Sequence, residues 1–395
     1  MEKISSVYAD YAATTPLSAN VYREMISCLN SNFGNASSIY EIGRKADQAL
    51  EEAREKVAKA IGASASEIYF TSGGSESNNW AIKGIARANK NKGNHIITSV
   101  IEHPSILASC KALEKEGFEI TYIPVDSKGV IDYSELVKAI RPETILISIM
   151  SANNEVGTIE PIRAISELAK MNGIYFHTDA VQAIGAVPFD VHEMNITALS
   201  LSAHKIYGPK GVGVLYVKKG TKIDKLIDGG AQEKDMRAGT SNVCGAVGLG
   251  VAIEDATRDL EENNRKLKSI KKYFLKKVSE KIHNISLNGH PTQRLNNNVN
   301  LSFEGVEGEA VLMLLDRSGV SVSTGSACAS GSLEPSHVLT AMGFEPEIAQ
   351  SSIRFSFGKD TTEEEIDYLV NELYKAVKKI RSISAIRIYK NKVEL

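Results

Sequence analysis

Alternating apolar strands and helical stretches place most of this 395-residue chain in the α/β class, with a mainly parallel sheet. Two observations carry that expectation: short apolar runs separated by segments of helical spacing, and polar residues gathered just after those runs. A third is a change of character after about residue 250, where charged helical segments and isolated strands indicate a smaller α+β unit. The chain is long for one core, so two domains are the natural expectation.

In order, residues 45–61 set Ala46, Ala49, Leu50, Ala53, Val57 and Ile61 at helical spacing, and 67–70 form a short strand. The turn Thr71-Ser72-Gly73-Gly74-Ser75-Glu76-Ser77 then opens into a helix. Further strands are expected at 95–99, 119–125, 144–150, 174–177, 196–201 and 213–217, with helices between most of them. Beyond them the sequence predicts a helix over 255–282 with the apolar stripe Leu267, Ile270, Phe274 and Val278. Strands at 298–303 and 352–357 and a helix at 362–381 complete the second unit.

Lys and Arg number 46 against 48 Asp and Glu, a formal charge of -2 with no block of one sign. Neither nucleic acid nor an anionic membrane is implied, and a small-molecule ligand is the better expectation. No apolar stretch approaches the ~20 residues of a membrane span, and the N-terminus carries Glu2, Lys3 and Asp10, so a soluble, cytoplasmic protein is expected. The four cysteines, Cys28, Cys110, Cys244 and Cys328, contain no Cys-x-x-Cys pair, which argues against a disulfide framework or a structural zinc.

Chemistry concentrates after the strands. Ser202-Ala203-His204-Lys205 follows the run 196–201, so Lys205 stands at a strand's C-terminal edge with its amine facing a crevice. A Schiff-base lysine belongs there, and pyridoxal phosphate is the common aldehyde cofactor. Lys210, in the turn Gly208-Pro209-Lys210-Gly211, reads as solvated. The 72–77 turn, with Gly74 and Ser75, offers a phosphate a helix N-terminus. Asp179 suits a protonated ring nitrogen, Gln182 and Asn154 the ring's phenolic oxygen, and His103 ring stacking or proton shuttling. Singly, each is more often structural; their joint placement at strand ends raises their weight. A hydrolytic metal site built from His103, His177, Asp179 and His204 is the competing reading. It lacks the close helical pair and activating base such sites use, so no metal is expected.

In the second unit, Ser323-Thr324-Gly325-Ser326-Ala327-Cys328-Ala329-Ser330 surrounds one thiol with small residues, leaving it unhindered. The other three cysteines read as minor core hydrophobes. Arg354 interrupts an apolar strand, and its guanidinium wants an anion such as a substrate carboxylate.

Together these residues resemble the cysteine desulfurases, fold type I pyridoxal phosphate enzymes of the class V aminotransferase superfamily. The likeness runs from Tyr8-Ala9-Asp10-Tyr11-Ala12-Ala13-Thr14-Thr15-Pro16 through Asn153-Asn154-Glu155, Asp179 and Arg237-Ala238-Gly239-Thr240 to the Cys328 segment. It implies a large domain, 15–255, with a seven-stranded sheet, and a small domain formed by 1–14 and 256–395. Cys328, Lys205 and His103 would be catalytic. The cofactor would be held by Gly74, Ser75, His103, Asn154, Asp179, Gln182, Ser202, His204 and Lys205, and by Thr240 of a neighbouring subunit in a homodimer. The substrate, L-cysteine, would lie on Asn35, Asn154 and Arg354. The segment Leu333-Glu334-Pro335-Ser336 after Cys328 resembles the group I enzymes that feed iron-sulfur cluster assembly, so a scaffold protein is an expected sulfur acceptor.

The implied cycle yields alanine and a persulfide on Cys328. Selenocysteine lyase and class V transaminase are the alternatives on the same scaffold, and a catalytically idle sulfur-relay subunit is the rival of another class. Ala36, Tyr40 and Val181 replace the family's usual proline, histidine and alanine, and residues 386–395 do not resemble the tail by which housekeeping members dock a scaffold.

Overall fold

A computed structural model describes residues 6–324 and 335–383, together with the backbone of the short strand Val393–Glu394. Across its largest sheet the strands run Ile68–Thr71, Gly213–Val217, Ala198–Ser202, Tyr175–Asp179, Thr144–Ser148, His95–Ser99 and Glu119–Ile123. Gly213–Val217 is antiparallel to both neighbours and the other pairings are parallel. The reason is local: residues 203–212 join it to Ala198–Ser202, fewer than the roughly dozen residues a parallel crossover needs.

Both faces of this sheet are buried, as helices on each side require. Ile97, Ile147, Phe176, Leu199 and Val214 face one apolar core, while their chain neighbours Ile96, Leu146, Ala198 and Leu215 face the other with Trp80. That alternation follows from the two-residue repeat of a strand. It also explains why these strands read as continuous apolar runs.

A second core forms around the four-stranded sheet Ser352–Ser356, Asn298–Phe303, Ile285–Asn288 and Val393–Glu394. Phe274 sits at its centre, its ring 4.9 Å from that of Phe355 and 5.2 Å from that of Phe357. The chain's first strand, Val7–Tyr8, pairs in parallel with Val320–Ser321, and Val7 and Ala9 are buried in this same core. Residues 10–15 therefore cross from the second core to the large sheet.

Two expectations about elements need correction. The single helix expected over 255–282 is two helices, Val243–Arg258 and Leu260–Lys281. Asp259 ends the first, donating its N–H to the Asp255 carbonyl, and opens the second, accepting from the Asn263 N–H; Arg258 pairs with the side chains of both aspartates. Periodicity overlooked residues 243–254 because Gly245, Gly248 and Gly250 leave no amphipathic stripe there. The strand expected at 174–177 extends to Asp179, which makes Asp179 a strand-terminal residue.

One buried ion pair ties the large sheet to the segment before Thr240. Arg54, on helix Glu41–Ile61, donates from Nη1 (2.7 Å) and Nη2 (3.1 Å) to the two carboxylate oxygens of Glu233, which also accepts the Phe70 N–H at 2.8 Å. Glu233, Lys234 and Asp235 are all left-handed, with φ of 47°, 59° and 62°. Non-glycine residues adopt that region at a cost, so the turn persists because its side chains are held. Lys234 Nζ caps the carbonyls of Ala65, Ser66 and Ile68 on the other side. Glu233→Ala takes the two-point partner from a buried guanidinium, leaving it Glu51 and the Ile68 carbonyl, and is expected to cost about 3 kcal/mol in denaturant unfolding. The double change Arg54→Met/Glu233→Leu is expected to recover most of that loss.

Candidate active site

The site begins at the turn between strand Ile68–Thr71 and helix Gly74–Ala88. Gly73, at φ 155°, lies outside the range most side chains adopt. No side chain caps the helix N-terminus, so its first amides stay available to an anion. The walls are glycine too. A Cβ on Gly213 would stand 2.7 Å from Gly73 Cα, and one on Gly74 would stand 2.6 Å from Val181 Cγ2 and 3.7 Å from Ser202 Cβ. Val181, larger than the usual alanine, thus fits only because residue 74 has no side chain. Glu76 on the first turn accepts from Ser72 Oγ and pairs with Arg237, bringing the segment that carries Thr240 alongside.

Asp179 is buried at the end of its strand. One carboxylate oxygen accepts from Asn78 Nδ2 at 2.7 Å and the other from the Val181 N–H at 2.9 Å. Asn78 also donates to Ser105 Oγ at 2.9 Å, which lies 2.8 Å from His103 Nδ1. His103 caps helix Pro104–Glu114: its Nδ1 accepts the Ser105 N–H, so the proton of the neutral ring rests on Nε2. Burial holds this imidazole below its ordinary range; the Asp179 charge opposes the shift, and Lys205 and His337 add to it. His103 is thus a neutral imidazole near pH 7.

Lys205 closes the short 3-10 turn Ala203–Lys205 after the adjacent strand. Its Nζ donates to the carbonyls of Ala12 (2.6 Å) and Ala13 (2.7 Å), and Gln182 Nε2 donates to the same Ala12 carbonyl at 3.0 Å. His204 Nδ1 meets Thr14 Oγ1 at 3.1 Å, and burial, helped by Lys205 and Lys210, lowers its pKa to about 4. Tyr207 adopts φ 64°, an outlier for a bulky residue. Its N–H donates to Thr15 Oγ1, and its hydroxyl accepts from the Lys359 N–H. Strain two residues from the lysine is thus fixed by partners on both sides.

Arg354 lies in the strand Ser352–Ser356 and is buried. Its guanidinium pairs with Asp10 at 2.8 Å and donates to the Asn154 carbonyl at 3.0 Å, while Nε has no hydrogen-bond partner. The anion expected from substrate is therefore supplied in part by Asp10 within the chain. Asp10 accepts from Ser323 Oγ as well (2.7 Å), and Glu155 accepts from Ser336 Oγ, so both flanks of 325–334 are tied to site residues. Cys328 itself lies outside the described residues.

Sequence reasoning brought together His103, Asn154, Asp179, Gln182, Ser202, His204 and Lys205 at the strand ends. Asn35, Ser75 and Thr240 are exposed in the single chain; Asn35 makes only a local turn, accepting the Ser37 N–H. Asn78, Asp10, Ser105 and Glu76 escaped notice as site residues. Asn78 alone carried a legible signal, lying four residues after Gly74 in the same helix and so on the face Gly74 exposes.

A parallel α/β sheet with a lysine and a carboxylate on neighbouring strand ends defines the pyridoxal phosphate enzymes of this architecture. The aminotransferase class-V family model matches residues 7–369, and the chain belongs to that family. Within it, the chain is 56% identical to cysteine desulfurase IscS of Dictyoglomus turgidum over 378 residues, 96% of each protein. It is also 56% identical to cysteine desulfurase IscS of Methanosarcina thermophila, covering 96% of this chain and 94% of the relative. Among solved structures, a NifS-like protein superposes with a TM-score of 0.90 at 39% identity, covering 95% of this chain and all of that one. SspA in complex with cysteine gives 0.79 at 39% identity, covering 90% and 99%.

Next to His103, Glu102 is fully buried; one oxygen accepts from Ser99 Oγ (2.6 Å) and the Met150 N–H (2.9 Å), and the other has no hydrogen-bond partner. Burial pushes its carboxyl from 4.5 up to about 8. Folded Glu102 therefore keeps a proton that the unfolded chain releases. Its contribution is full below about pH 4.5 and is lost as pH rises through about 8. Glu102→Gln, neutral at every pH, is expected to gain a few kcal/mol over the parent between about pH 5 and about pH 9 in denaturant unfolding. A gap that stays constant with pH would contradict a protonated Glu102.

Proposed function

We propose that this chain is a pyridoxal phosphate-dependent cysteine desulfurase whose working residues are those gathered around Lys205 and Asp179. The carrying observation is the amine of Lys205 and the carboxylate of Asp179 at the ends of adjacent strands, beside a glycine-walled helix N-terminus. These residues fit the cofactor. When bound, it supplies an electron sink for charge developing at the substrate α-carbon.

Each side chain then has a definable task. Asp179, locked by Asn78 and the Val181 N–H, holds the proton on the ring nitrogen. Gly74, Ser75, Ser202 and His204 receive the phosphate, with Thr240 of the neighbouring subunit. Asn154 and Gln182 address the ring's oxygen, and His103, neutral with Nε2–H, lies against the ring and passes protons. Lys205 would hold the cofactor's aldehyde carbon and, as a free amine, would take the substrate α-proton. Arg354, with its unpartnered Nε, and Asn35 hold the carboxylate of L-cysteine.

Cys328, as thiolate, attacks the substrate sulfur: the new S–S bond forms as the substrate C–S bond breaks, leaving alanine and a Cys328 persulfide. The acceptor is a further protein such as an iron-sulfur scaffold, and the reaction belongs in the cytoplasm. Among the described residues no helix is long and apolar enough to cross a membrane. A homodimer is supported by the exposed apolar side chains Tyr22, Ile26, Leu29, Phe33, Ile39 and Tyr40, all within residues 22–40, which a second subunit would cover.

Cys328→Ala tests the reading. Cofactor binding is expected to be unchanged, while alanine and sulfide formation from cysteine drop by roughly 100-fold or more. Alanine formed from cysteine at the parent rate would overturn the persulfide step.

A further inference from the structure

A second thiol arrangement lies outside the machinery around Lys205. Helix Ala19–Ser31 packs antiparallel against helix Val243–Arg258: Met25 meets Gly248, and Cys28 meets Cys244. The spacings put each pair of partners on one helix face, three residues apart on the first helix and four on the second. Gly248 makes the approach possible, since a Cβ there would stand 2.7 Å from Met25 Sδ. The two helices consequently bring Cys28 Sγ and Cys244 Sγ to 2.7 Å, although 216 positions separate them in the chain. A disulfide needs ~2.05 Å, so a small side-chain adjustment closes the gap.

The surroundings differ for the two sulfurs. Cys28 is buried against Ala46 and Val243, and its burial, reinforced by Cys244, raises its pKa to about 12. Cys244 is only half-buried. A groove lined by Cys28 itself, with Glu24, Asn32, Glu52 and Lys56, also borders the pair. Cys110 offers the contrast: it is fully buried in the apolar core beside Ile106 and Leu113.

We propose that Cys28 and Cys244 form a redox-sensitive thiol pair that closes to a disulfide on exposure to small disulfides of the oxidised-glutathione class. The half-buried Cys244 reacts first: its thiolate attacks one sulfur of the reagent, the reagent's S–S bond breaks, and one glutathione leaves as a thiolate that takes up a proton. Cys28 then attacks the Cys244 sulfur of the mixed disulfide. The second glutathione leaves with the proton Cys28 gives up, so two protein thiols lose two electrons and one oxidised glutathione becomes two thiols. The product staples the helix that leads to Asn35 onto the helix that follows Thr240.

The test treats the holoenzyme with oxidised glutathione, quenches in acid, alkylates the remaining thiols and maps the peptides by mass spectrometry. A peptide pair joined through Cys28 and Cys244 is expected, appearing with time and disappearing on reduction with dithiothreitol. In Cys28→Ser, Cys244 is expected to stop at the glutathione adduct. Overturning results are full alkylation of both thiols in the treated parent, or a stable glutathione adduct on Cys244 with Cys28 still alkylatable. The parent protein alone decides the matter, so a poorly folding variant does not blunt the test.

Discussion

Residues 10–15 are the seam on which the rest of the structure depends. Val7 and Ala9, just before them, are buried in the second core, and the six residues then run under the strand ends of the large sheet. The Ala12 carbonyl accepts from Lys205 and Gln182, Asp10 accepts from Ser323 and Arg354, Thr14 meets His204 Nδ1, the Thr15 hydroxyl donates to the His204 carbonyl, and the Ala12 N–H donates to the Ser356 hydroxyl. Lys205 and Arg354 are thereby referred to one short stretch of chain. Polar groups this deep need partners, and Lys205, Gln182 and Arg354 Nη2 find theirs on the seam.

The α/β class and the positions of the strands along the chain were legible, because a sheet buried on both faces writes itself as continuous apolar runs. Lys205, Asp179 and His103 could be placed by their position just after those runs. What stayed hidden were relations between distant segments. Asp10 carried no signal that it would meet Arg354, and the thiols of Cys28 and Cys244 fall on separate helices whose contact no periodicity reports. The helix 243–258 was missed for the same reason that it packs so closely, its glycines. Family likeness supplied Asn35 and Thr240, both exposed in the single chain, whereas Cys328 stood out by the small residues around it.

Buried ionisable groups around the site pull stability in opposite directions with pH. Glu102, Glu155 and Glu160 have carboxyls raised to about 8, 7 and 8 by burial, so each stabilises the fold at low pH and loses that contribution as pH climbs through its raised value. His177, held between Ser148 and Ser200, and His204 are lowered to about 3 and about 4, so they stabilise above about 6.5 and lose that contribution as pH falls toward the lowered values. Between these windows the site keeps neutral imidazoles and protonated carboxylic acids packed beside Asp179 and the Asp10–Arg354 ion pair. Such an interior strengthens the few charges left in it, chiefly Asp179 and Arg354.

The central claim is that Lys205, and not another amine of the crevice, is the residue that carries the cofactor. Reduction of the holoenzyme with borohydride fixes a lysine-bound pyridoxal as a stable pyridoxyl group, which peptide mass spectrometry then locates. The group is expected on Lys205 alone. Its appearance on Lys210, or its absence from the digest of a fully loaded enzyme, would contradict the assignment on which the rest of the site is built.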